Sequence, residues 1–307
     1  TTPTLVLEQQ ADCFAGSYIR WVTEGSSKRF ELNTSDGLNR VIAGVITIRD
    51  PILTPEYEDM VEEGHGTALD RVSAFQTGFI DGIDACARID MDQIENARGD
   101  LPLLLDPEAS GGAATGESPI DQGLITSITA ALTQIFTPAT PPTVSLTAPA
   151  QPCPDVTATP PASYCPSTNT ITVDLPALQA MGTPADEKER VLLQGDNTAI
   201  SVLTARYMLA LQHQRGVPID TTAAALRTAC LTGVAQRKMT EPITLPTGGT
   251  IQLSAGDLDE AIAGLLNNGF AASDVNGTTV AAGFTRIMAF RSGLITPNAD
   301  ACYTRFP

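Results

Sequence analysis

Glu8 and Asp12 stand four residues apart in a stretch, residues 4–24, that reads as a helix, so their carboxylates share one helix face. Carboxylates placed this way, beside a histidine, are groups that hold a metal or move a proton; the same spacing also describes an ordinary solvated face. The chain has only two histidines. His65 follows Glu62-Glu63 in a glycine-containing loop and reads equally as a surface residue or as part of a site. His213, within Gln212-His213-Gln214-Arg215, reads as a solvated helix end. Asp257, Asp259 and Glu260 read as capping and first-turn charges. No His-Glu-x-x-His, the pattern that sets two metal-binding histidines one turn apart, occurs in the sequence.

The elements that must position these groups occur twice. Glu8-Gln9-Gln10-Ala11-Asp12-Cys13-Phe14-Ala15-Gly16 is matched by Ala225-Leu226-Arg227-Thr228-Ala229-Cys230-Leu231-Thr232-Gly233, with the cysteine and glycine kept and the two acids replaced by alanine. Downstream, Leu38, Ile42, Ala43 and Gly44 answer to Leu258, Ile262, Ala263 and Gly264. Arg71, Ala74, Phe75 and Gly78 answer to Arg286, Ala289, Phe290 and Gly293, and Asp84-Ala85-Cys86 answers to Asp300-Ala301-Cys302. Such length with short gaps indicates a duplicated structural unit. The six cysteines follow the repeat: Cys13 with Cys86, Cys230 with Cys302, and the remaining Cys153 with Cys165 in a proline-rich stretch. No Cys-x-x-Cys spacing supports a zinc cluster. Three disulfides imply an oxidising compartment; each long bridge is worth roughly 4 kcal/mol in the chain-entropy model.

Helices are expected over 4–24, 37–48, 67–89, 119–136, 195–215, 221–239, 255–267 and 279–294, with Thr34-Ser35-Asp36 as a cap for the second. Val144-Ser145-Leu146 and residues 170–175 read as strands. The fold class is therefore mainly α with a small β component (α+β). A linker is expected at 104–118, between a first unit at 1–103 and a second at 119–307. A formal charge of −17 across 307 residues argues against nucleic acid or an anionic membrane as a partner. No apolar run is long enough to span a bilayer. The chain enters its first helix almost at once, so an exported protein of this kind is expected to carry an N-terminal part, even a membrane anchor, upstream of Thr1.

Glu8 to Gly16, then His65-Gly66-Thr67 with Arg71, then Cys86 resemble the closing half of the bacterial neutral zinc metallopeptidases. In the second unit Cys153, Tyr164-Cys165-Pro166, the following strand and the helix around Val202 resemble that family's front half. The resemblance implies Glu8 as the third zinc ligand, Asp12 as the carboxylate behind a ligand histidine, and His65 as the stabiliser of an oxyanion. In the second unit it places Ala205 and Leu209 at the ligand histidines, Arg206 at the general base, Ala225 and Ala229 at the third ligand and its supporting aspartate, and Asn276 at the His-Gly-Thr histidine. Every polar element of that second site is gone.

The expectation is an extracytoplasmic pseudo-peptidase of the periplasm, cell envelope or secreted fraction, which binds a protein or peptide partner and has no cofactor of its own. One alternative is the closing part of an active peptidase, with zinc held only if a His-Glu-x-x-His helix lies upstream of Thr1. Another is a structural cell-envelope component.

Overall fold

The computed structural model describes residues 2–99, 101–105, 116–186 and 192–307. It is mainly helical with a small β component, as the periodicity requires. Of the linker expected at 104–118, residues 106–115 lie outside the described residues.

The amino-terminal part is built on α1 (Thr4–Thr23) and α4 (Ala68–Asp81), with α2 (Asp36–Ile46), the short α3 (Met60–Glu63) and α5 (Ile83–Cys86), and α6 (Met91–Arg98) around them. The cap of α2 is Asn33 rather than Ser35: its Oδ1 accepts from the backbone of Ser35 and Gly37. A single helix over 67–89 is not formed. Gly82 takes φ +82°, a left-handed conformation open to glycine, and the chain turns there into α5.

α1 and α4 touch backbone to backbone. A Cβ on Gly16 would fall on the Phe75 carbonyl oxygen, and one on Gly78 would fall on the Cys13 carbonyl. The Cys13–Cys86 bridge closes the crossing. In the carboxy-terminal part α10 (Thr222–Met239) and α12 (Gly283–Ile295) repeat this geometry: Gly233 meets the Phe290 carbonyl, Gly293 meets the Cys230 carbonyl, and Cys230–Cys302 closes the pair. The two bridges span 73 and 72 residues, with Cα separations of 5.4 and 5.7 Å. Cys302 lies in α13 (Ala299–Arg305), as Cys86 lies in α5.

Beside the carboxy-terminal crossing runs α9 (Asp196–Gln214), in which every residue from Asp196 to Ala210 is buried. A helix covered on all sides has no amphipathic stripe; it is the centre of the core. α7 (Gln122–Phe136), α8 (Leu175–Met181), α10 and α11 (Asp257–Asn267) pack around it. The remaining side is a three-stranded sheet of β1 (Thr143–Ser145), β2 (Ala162–Cys165) and β3 (Thr170–Val173), ordered β1-β3-β2, with β1 parallel and β2 antiparallel to β3. Ala162, Tyr164, Ile171 and Val173 form its buried face, while Cys153–Cys165 pins the proline-rich loop. A second ribbon pairs β4 (Ile243–Thr244) with β5 (Thr250–Ile251).

The two parts share one core. Leu69, Val72 and Phe75 of α4 belong to the same apolar cluster as α9, α11 and α12, and Phe79 packs on Phe284 with centroids 4.7 Å apart. Polar links cross the same seam. Gln76 donates to the Phe284 carbonyl at 2.9 Å and accepts from Arg291 at 2.7 Å, and Asn39 accepts from the Gly283 amide.

The crossings generate a paired prediction. Gly78→Ala or Gly293→Ala forces two backbones apart and should lower stability by about 2–3 kcal/mol. Gly44→Ala, in an exposed helix interior where a Cβ meets nothing, should raise it by about 0.5–1 kcal/mol. Urea unfolding of the three variants checks the contrast.

Candidate functional site

α1 and the loop before α4 bring Glu8, His65 and Asp12 to one end of the amino-terminal crossing. His65 Nε2 lies 4.0 Å from Glu8 Oε2, and both side chains are partly open to solvent. The other ring nitrogen faces Asp50, with Nδ1 3.3 Å from Oδ1. Asp50 Oδ2 accepts from the Gly66 amide at 2.7 Å, so this carboxylate shapes the loop that carries the histidine. Asp12 lies deeper and meets Arg71, whose Nη2 donates to Oδ1 at 2.8 Å. Burial pushes the Asp12 carboxyl up to about 6, against the pull of Arg71. The carboxylate that hydrogen-bonds the histidine is thus Asp50, a residue the motif reading passed over, while Asp12 anchors an arginine of α4.

As a zinc site this corner is incomplete. Glu8 and His65 are close enough to approach one ion, but zinc sites use three or four protein ligands. The carboxy-terminal counterpart does not fit zinc at all. Ala205, Leu209, Ala225 and Ala229 are each no more than 1% exposed, and they fill the interior with methyl and isobutyl groups. Arg206 is held by three oxygens: the carbonyls of Asp274 at 3.1 Å and Phe270 at 3.3 Å, and Ser273 Oγ at 2.8 Å. Burial lowers its pKa to about 10, which leaves it protonated at neutral pH, a cation where a base would be required. Asn276 Oδ1 accepts from the Thr157 amide and ties the proline-rich loop to this corner. His213 is exposed as expected, yet its Nδ1 lies 3.0 Å from the Tyr164 hydroxyl.

A second cluster was not legible as a site. Asp257, Asp259 and Glu260 are in the first turn of α11, but they are buried and two of them cap other helices. Asp259 accepts from the Ala68 and Leu69 amides at the start of α4, at 2.9 and 3.0 Å. Glu260 accepts from the Asn197 amide at 2.7 Å, and Glu117 accepts from the Asp196 amide at 2.9 Å, both at the start of α9. Oxygens of Glu117, Asp196 and Glu260 lie within 4.8 Å of one another. Burial first, and then repulsion among these acids, raises Asp257 and Glu260 well above the carboxylate range, and Asp196 to about 6. An oxygen set of this kind suits protons or a hard cation rather than zinc. Cys153, Asp155 and Cys165 also converge, but the sulfurs are joined in a disulfide. Acids that cap a distant helix leave no local sequence signal.

Comparison with protein-family models, with curated proteins and with solved structures finds no match.

The buried acids set the pH dependence. Their raised pKa values mean that the folded state holds protons the unfolded chain has released, so their contribution is full below the ordinary carboxylate range and is lost as pH rises through the folded values. The unfolding midpoint should be higher at pH 5 than at pH 8. Glu260→Gln, which keeps a carbonyl acceptor and a donor group and cannot ionise, should keep the midpoint at pH 5 and flatten the decline. A midpoint that climbs from pH 5 to pH 8 would contradict the assignment.

Proposed function

We propose that this protein is an extracytoplasmic, metallopeptidase-like module that binds a protein or peptide partner instead of cleaving one, and that its two disulfide-closed crossings are copies of one duplicated unit. The observation that carries this is the chemistry at Ala205, Arg206, Leu209, Ala225 and Ala229. A hydrolytic zinc site needs ligands, a base and an open coordination position together. Here the ligand positions are apolar and packed, and the base position is a hydrogen-bonded cation. Three disulfides suit an oxidising compartment, and no described helix is long and apolar enough to cross a membrane.

The Glu8–His65 approach of 4.0 Å favours a second reading for the amino-terminal part. If a His-Glu-x-x-His helix from elsewhere covered this corner, Glu8 would serve as its third ligand.

Zinc titration by calorimetry on the full chain, alone and with a synthetic His-Glu-x-x-His helix added, followed by a peptide-cleavage assay with and without zinc, separates the readings. The binding module shows no stoichiometric site tighter than the micromolar range and no cleavage above background. Tight zinc binding lost in Glu8→Ala supports the second reading; zinc-dependent cleavage that survives Glu8→Ala overturns both.

A further inference from the structure

The two crossings differ in what covers them. Taking Cys13 with Cys230 and Gly16 with Gly233, the positions of α1 that correspond to Ala224, Thr228, Leu231 and Ala235 are Leu7, Ala11, Phe14 and Tyr18. The four residues of α10 are fully buried. Their counterparts on α1 are exposed, with Leu7 at 54%, Phe14 at 42% and Tyr18 at 50%. The same holds on the neighbouring helix. Gly264 of α11 lies against Thr198 of α9, whereas at Gly44 of α2 a Cβ would meet nothing.

In the carboxy-terminal part the covering element is α9, which lies between α10 and α11. It runs antiparallel to α10: Gln212 donates to Thr228 Oγ1 at 2.8 Å, while Gln236 bonds Asn197 and Ser201 at the other end. The corresponding groove between α1 and α2 has no such helix among the described residues. Its polar partners have also changed, since Thr228 and Gln236 correspond to Ala11 and Ile19. Charge adds a second requirement. Glu8 stands on the rim, Glu62 and Glu63 end the adjoining α3, and Glu63 accepts from Thr4 Oγ1 at the start of α1. Pairing with a second copy of this chain would set these acids against another −17 molecule.

We infer that the face of α1 carrying Leu7, Ala11, Phe14 and Tyr18, with the groove beside α2, is the docking site for an α-helix of a partner polypeptide that lies antiparallel to α1, as α9 lies on α10. The occupant is a helix of about five turns, the length of α9 at 19 residues. It is apolar toward Phe14 and Tyr18 and basic toward Glu8. This names the partner of the binding module proposed above and rests on that reading. An amphipathic helix in an apolar groove is a common recognition mode, read through anchors at helical spacing.

The probe is a synthetic peptide of residues 196–214 carrying Asn197→Ala, to suit Ile19, and Gln212→Lys, whose stem covers Ala11 and whose ammonium reaches Glu8. Trp21 is the only tryptophan of the chain, stacks on Tyr18 at 5.7 Å, and reports docking by its emission. Titration should give a saturable blue shift that weakens with added salt. Phe14→Ala should weaken binding at least tenfold and Glu8→Gln several-fold. Ile295→Ala, an exposed apolar residue at the end of α12 that lies beside Gln9 and Ser73 on the other side of α1, should leave it unchanged. Absence of binding into the millimolar range would overturn the inference, as would binding undiminished by Phe14→Ala, or self-association by light scattering that Phe14→Ala abolishes. Zinc and cleavage assays run in parallel keep the two claims apart. A peptide that docks to a cleaving enzyme sinks the non-catalytic reading alone; an inert protein that ignores the peptide sinks the docking site alone.

Discussion

The structure depends on two places where helices meet without side chains between them. At Gly16 and Gly78, and again at Gly233 and Gly293, the backbone of one helix rests on a carbonyl of the other. Helices that close leave no room for a Cβ, so the sequence is constrained to glycine there whatever else changes. The bridges 13–86 and 230–302 hold the same crossings from the unfolded side, by limiting the chain's freedom before it folds. Other elements are arranged on these two clamps. α2 packs on α4 and α12, α11 packs on α12 and α4, and α9 lies against α10 and α11.

Because the clamps come together around one core, charged groups are carried inward with them. Asp259 sits on the first amides of α4, and Glu260 on those of α9, so each helix start is capped by an acid from another element. Carboxylates at helix starts are favourable, and hydrogen bonds to amides partly offset the cost of taking them out of water. The Arg98 guanidinium forks onto Asp70 at 2.9 and 2.8 Å in the same region, joining α6 to α4. Asp259 thus fixes how α4 seats on α11, while Glu260 ties α11 to α9 and Arg98 ties α6 to α4.

The two helix pairs share a backbone geometry but carry different side chains. Around α10 the positions Ala205, Leu209, Ala225 and Ala229 are buried and apolar, and Arg206 is bonded to two carbonyls and to Ser273 Oγ. Around α1 the matching helix face keeps Glu8 beside His65 and leaves aromatic side chains open. Glu8 and Asp12 stand where α10 has Ala225 and Ala229, while the glycine contacts of the crossing are the same in both helix pairs.

Periodicity, the cysteine spacing and the matching sequence stretches were enough to read the mainly helical fold, the strands at β1 and β3, and all three disulfides, since these follow from local patterns and from nearly equal cysteine separations. The match of Gly16 to Gly233 was visible in the sequence; what the glycines touch was not. Gly82 broke an expected helix because a left-handed turn there is favoured by the path to Cys86, a tertiary requirement. Asn33 took the cap assigned to Ser35 through a longer reach that spacing does not encode. Asp50 beside His65, Asp12 on Arg71, and the acids of α11 on the starts of α4 and α9 were decided only when the chain folded. Each is a hydrogen bond between residues far apart in sequence, and a one-dimensional pattern carries no record of which buried carboxylate meets which amide.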